Sequence, residues 1–78
     1  MPTVLRIGPY RFFFYSNEGN EPAHIHVRSG DGEAKFWLDP IDYVWSTGYN
    51  PRQLNQIEQH IQDHQAELLS AWREYFGA

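Results

Sequence analysis

Apolar and polar positions alternate through the first half of the chain and then change period. "TVLRI" (3–7) and "YRFFFYS" (10–16) are rich in β-branched and aromatic residues and are joined by Gly8-Pro9. A two-residue hairpin turn there needs a positive φ at its first position, which glycine supplies, and proline suits the second. That turn sets Ile7 opposite Tyr10 and Leu5 opposite Phe12. "NEGNEP" (17–22) is polar and glycine-bearing, a loop. "HIHVR" (24–28) and "EAKFWL" (33–38) read as a second hairpin around "SGDG". With Asp31-Gly32 as the turn, Arg28 would face Lys35. With Gly30-Asp31, or a four-residue loop, Arg28 faces Glu33. Opposite charges across strands help by about 0.2–1 kcal/mol and like charges hurt, so the second register is expected. It pairs His26 with Lys35, Ile25 with Phe36 and His24 with Trp37.

"DPIDYVWSTGY" (39–49) opens on a turn signal. A short fifth strand around 41–46 is one reading; helix and loop stay open. From Asn50 the period becomes helical. Asn50 is a good N-cap, Pro51 suits the first helical position, and Gln53 completes a variant of the capping box. Leu54, Ile57, Ile61, Leu68, Trp72 and Tyr75 form one apolar stripe, and Gly77 is a stop. One helix over 51–76 would be ~39 Å long, in a domain only ~30 Å across. It must overhang, bend or meet a partner.

The pattern therefore predicts an α+β fold. Two antiparallel β-hairpins, about four strands with a short fifth optional, pack on one long C-terminal helix. Residues 1–78 make a single domain, mostly β with loops over 1–49 and helical over 50–77. Strand period two assigns the faces. Leu5, Ile7, Tyr10, Phe12, Phe14, Ile25, Val27, Ala34 and Phe36 turn toward the helix. Val4, Arg6, Arg11, Phe13, Tyr15, His24, His26, Arg28, Glu33, Lys35 and Trp37 take the opposite face. One helix covers one face only. Four things could use the other: an oligomer interface, segment 39–49 folded over it, a partner or small ligand, or a nucleic-acid stacking platform.

Composition narrows these. The chain has 78 residues, no cysteine, 17% aromatics and a net charge of -4. Without cysteine, disulfides and thiolate metal sites are excluded. The acidic balance argues against nucleic acid. No long apolar run and no apolar segment of signal-peptide length is present, so no membrane is expected, and a soluble cytoplasmic protein is. The expected interaction face comprises Phe13, Tyr15, His24, His26 and Trp37. Its partner is a second copy of the chain or another protein.

The chemistry centres on "EPAHIHV" (21–27). His24 and His26 point the same way from one strand and could offer two imidazoles to one metal, with Glu18 or Glu21 as a third ligand. Two residues do not make a site, and ordinary cross-sheet hydrogen bonding accounts for the spacing. The expectation is no cofactor and no tight metal site, with His24 and His26 as the weak metal candidates. The enzymatic alternative is a small hydrolase or ribonuclease, with or without a metal. There His24 and His26 would transfer protons while Arg28 and Lys35 hold a phosphate. "HIQDH" (60–64) fails as a zincin motif, because Ile61 stands where the general base should be. His64 reads instead as a satisfied, partly buried histidine.

"RFFFYSNEGNEPAHIHV", "GEAKFWL" and "ELLSAWREYF" together resemble the bacterial domain of unknown function 4160. His24, His26, Ala34, Leu68 and Trp72 are the matching positions. Members commonly carry two prolines before the first histidine; here the second is Ala23. The resemblance implies a small prokaryotic cytoplasmic protein whose gene sits beside another small gene. It also implies a toxin–antitoxin-like pairing. The leading reading of the residues is a non-enzymatic interaction module, oligomeric or one half of such a pair.

Overall fold

The computed structural model describes residues 3–77. Met1, Pro2 and Ala78, the ends of the domain expected over 1–78, lie outside the described residues. Five strands form one antiparallel sheet in chain order: β1 (Thr3–Ile7), β2 (Tyr10–Phe13), β3 (His24–Ser29), β4 (Gly32–Leu38) and β5 (Ile41–Thr47). Two helices follow, α1 (Pro51–Asp63) and α2 (Gln65–Phe76). The fold is α+β, as the pattern predicts, but with a full fifth strand and a divided helix.

Gly8 takes a φ of 55° in the first turn, and Ile7 faces Tyr10 across it. In the second hairpin Ser29 faces Gly32, so Gly30-Asp31 is the turn and Gly30 supplies its positive φ. Arg28 therefore stands opposite Glu33, His26 opposite Lys35 and His24 opposite Trp37. Segment 39–49 does not fold over the sheet. Asp39-Pro40 turns the chain, and β5 pairs with β4.

Asn50 caps α1 with the full reciprocal pair: its side chain accepts from the Gln53 amide, and Gln53 accepts from the Asn50 amide. The single long helix is corrected to two. The break is at His64, whose φ of -122° leaves the helical region. Its ring Nδ1 bonds the His60 carbonyl oxygen (2.9 Å), capping the end of α1. Gln65 then donates to the Leu38 carbonyl oxygen (2.7 Å) and ties the start of α2 to the sheet. The break lets the helical segment fit a body of 34 × 21 × 21 Å.

The core lies between the helices and one sheet face. It joins Tyr10, Phe12, Phe14, Ile25, Val27, Ala34, Phe36 and Leu38 to Ile57, Ile61, Leu68 and Trp72. One assignment in the helical stripe and one on the sheet change. Ile57, Ile61, Leu68 and Trp72 stay in phase across the break, but Phe76, one turn beyond Trp72, packs on the core in place of Tyr75, which is exposed. Val4 packs with the core rather than on the second face, because the β1–β2 register shifts between Thr3 and Leu5.

Candidate functional site

The second face of the sheet is built from cross-strand rows. One runs Phe13–His26–Lys35–Trp45 across β2 to β5. Another runs Arg6–Arg11–Arg28–Glu33. Such rows place side chains about 5 Å apart on one surface, so rings and charges meet. The His26 ring stacks on Phe13 (5.6 Å between centroids) and takes the Tyr15 ring edge-on (4.5 Å). Arg11 lies over the Phe13 ring at 4.7 Å and Lys35 over Trp37 at 4.9 Å.

No helix covers this face, yet its centre is closed. Phe13 and His24 are 0% exposed and His26 2%. The cover is the irregular segment between β2 and β3. Phe14 anchors one end of it in the core, and Gly19 lies against the Phe76 ring, where a Cβ would stand 2.5 Å from a ring carbon. Glu18 turns inward, and its Oε1 lies 3.0 Å from His24 Nε2 and 2.9 Å from His26 Nε2. Lys35 donates to Glu21 (2.8 Å), and His24 Nδ1 lies 2.9 Å from the Pro22 carbonyl oxygen. His24 also packs against Trp72 of α2 (4.7 Å), so the loop, the sheet and the last helix meet at one ring.

The electrostatics follow from this closure. Burial raises the Glu18 carboxyl, but the hydrogen bonds and charge of the two histidines outweigh it and hold the group below its ordinary value. Burial pulls His26 below its ordinary value, with Glu18 opposing. Burial also raises Tyr15, helped by its hydrogen bond to Glu33 (3.0 Å).

Glu18, one of the two loop carboxylates singled out from the sequence, joins both histidines; Glu21 approaches only the outer side of His24, its Oε1 3.7 Å from Nδ1. The two cations of the enzymatic alternative are engaged elsewhere, Arg28 with Glu33 (2.6 Å) and Lys35 with Glu21. Three clefts lie near Gly8 and His60, near Val4 and Tyr75, and near Trp37 and Pro40; none of the three is lined by His24 or His26. Of the expected interaction face, Phe13, His24 and His26 are sealed within the chain, and Tyr15 and Trp37 remain reachable. Sequence reasoning missed Trp45. It extends the His26 row on β5 and is 39% exposed. No pattern signalled it, because the register shift between Lys35 and Phe36 sets Trp45 on the His26 face and Tyr43, two residues earlier, on the Phe36 face.

The sequence profile of a domain of unknown function (DUF4160) matches residues 10–73. The chain belongs to that family. The match takes in the whole histidine loop, the second hairpin and all but the last turn of α2. No curated protein and no solved structure matches the chain. Among the described residues no helix is long and apolar enough to cross a membrane. In this DUF4160 chain the P-x-H-x-H element joins the loop that carries Glu18 to the sheet which that loop covers.

Proposed function

We propose that this DUF4160 chain is a non-enzymatic interaction module of the prokaryotic cytoplasm. It works as a homo-oligomer or with a small protein from a neighbouring gene, as one component of a toxin–antitoxin-like pair. The observation carrying this reading is the contrast between sealed histidines and an open sheet edge. Proton transfer to a substrate needs a group within hydrogen-bond reach of it, and both imidazoles lie under the chain's own loop. β5 is the last strand of the sheet, and Tyr43 and Trp45 on it are 47% and 39% exposed. An edge strand offers unpaired backbone donors and acceptors to a further strand. Large aromatics beside it are the residue types that anchor protein interfaces. Tyr15 and Trp37 extend the Trp45 side of that edge inward, while Tyr43 stands on the other side against Phe36. A stable interface there buries more than about 1,000 Å² in total.

Sedimentation of the purified chain, alone and with the neighbouring gene's product, tests this. Association that Trp45→Glu abolishes is expected. A clean monomer at high micromolar concentration, unchanged by the added protein, contradicts it.

A further inference from the structure

His24 Nδ1 faces the Pro22 carbonyl oxygen at 2.9 Å. A carbonyl only accepts, so Nδ1 holds the proton. The Nε2 of that neutral tautomer is a lone pair, and it faces a carboxylate oxygen of Glu18 at 3.0 Å. Two acceptors face each other unless a proton or a metal cation stands between them. His26 repeats the pattern. Its Nε2 is 2.9 Å from the same Glu18 oxygen, and its buried Nδ1 has no hydrogen-bond partner among the described residues. The nearest charge to that Nδ1 is Glu33 Oε2 at 3.7 Å, an acceptor toward which an N–H, not a lone pair, belongs. With Nδ1 protonated on both rings and no proton on Nε2, two Nε2 lone pairs face one carboxylate oxygen, an arrangement that a shared cation relieves. Their ligand atoms all lie within 4.8 Å of one another.

We propose that Glu18, His24 and His26 form a structural binding site for a divalent transition metal of the zinc class. The donor set is two imidazoles and one carboxylate, which suits zinc and its neighbours rather than calcium or magnesium. Donors on one tetrahedral zinc stand about 3.3 Å apart at bond lengths of about 2.0–2.1 Å. The two Glu18–histidine spacings of 3.0 and 2.9 Å need to open by a few tenths of an ångström, and the two ring nitrogens, within 4.8 Å of each other, turn toward the same cation. The outward Nδ1 contacts, to a backbone carbonyl and toward a carboxylate, are the outer-shell arrangement that fixes a ligating histidine's tautomer. Spacing alone did not support a tight site; the third donor and the outer contacts change that. The cation's remaining position falls to the second Glu18 oxygen or to water, on the side where Glu18 is 21% exposed. Catalytic metals keep a position open to substrate. Here both rings are sealed, so the metal's work is to pin the Glu18 loop over the sheet. This inference does not depend on the oligomeric state.

The test is zinc calorimetry on the chelator-stripped full chain, with cobalt(II) absorption as a second readout of coordination. One zinc per chain with submicromolar Kd is expected, together with a raised Tm and protection of residues 16–23 from protease. Glu18→Gln should keep the fold, because Glu18 is partly exposed, and should weaken zinc binding by about a hundredfold or more, at least what losing an outer-shell partner costs. His60→Gln, in α1 and away from the site, should bind as the parent does. A Kd above the high-micromolar range, or affinity unchanged by Glu18→Gln, overturns the proposal.

Discussion

Phe12 and Phe13 are neighbours on β2, and both are fully buried. They are buried by opposite means. Phe12 lies under the helices, in a dry layer of aliphatic and aromatic side chains, with the edge of His60 nearby (6.5 Å). Phe13 lies under a loop, beneath the His26 and Tyr15 rings and the Arg11 guanidinium. The first face is held by apolar area, which is non-directional and tolerant of detail. The second is held by a few directed contacts that converge on Glu18. A sheet can thus close two faces with one helical layer, provided its second cover is fastened at a polar node.

The largest effect is expected where the two covers meet. Trp72 contacts Phe14 and Phe76 on the core side and His24 beneath the loop. Trp72→Ala should cost ~3–5 kcal/mol. Set against a total stability of ~5–15 kcal/mol, that is a large shift in urea midpoint. A variant that melts like the parent would separate the two covers and refute their junction at this residue. Next come the paired truncations. Phe12→Ala should fall in the same ~3–5 kcal/mol range, and Phe13→Ala below it, because an irregular loop collapses into a cavity more readily than packed helices do. Equal losses in denaturant titrations would erase the distinction between the faces.

Smaller effects come from the node itself. In zinc-free protein, Glu18→Gln exchanges charged hydrogen bonds for neutral ones and should cost about 1 kcal/mol, with faster proteolysis within 16–23. Acid should act in the same sense. The Glu18 carboxyl sits below its ordinary 4.5, so its contribution is complete above that value and fades as pH falls through the lower folded value. His26 sits below its ordinary 6.5. Its unfolded ring therefore takes up a proton first, and stability begins to fall as pH drops below about 6.5. Thermal melts between neutral and acid pH should decline steadily; a rise in Tm on acidification would contradict the sign. The smallest effect on stability belongs to Trp45→Glu on the open edge, within about 0.5 kcal/mol, while its effect on sedimentation should be complete.

The first face was legible because each of its contributions repeats. Period two in the strands and steps of three and four in the helix name Phe12, Ile25, Val27, Phe36, Ile57 and Ile61 without knowledge of the fold. Charge chose the β3–β4 register through Arg28 and Glu33, and the turn followed. The helix break was not legible. Nothing in the apolar stripe interrupts at His64, and the side chain that caps α1 there is read only once its Nδ1 is seen on the His60 carbonyl. The second face was legible as a surface but not as a closed one. Its lid has no period, and its fastening depends on where Glu18 turns, a property of loop geometry rather than of composition. The spacing of His24 and His26 gave the direction of two rings and no more. Trp45 stayed hidden because its face depends on the register of a strand with a shift beside it, between Lys35 and Phe36.

The central claim is that the loop seals both histidines against solvent, with Nδ1 of His24 held on the Pro22 carbonyl and both Nε2 atoms turned to Glu18. Imidazole nitrogen NMR on uniformly labelled protein measures it directly. The account predicts a slowly exchanging Nδ1 proton on His24 in the zinc-free chain. On zinc addition, both Nε2 resonances should shift while those of His60 and His64 stay in place. Four rings that average their tautomers and exchange their protons at the rate of free imidazole, with or without zinc, would contradict it.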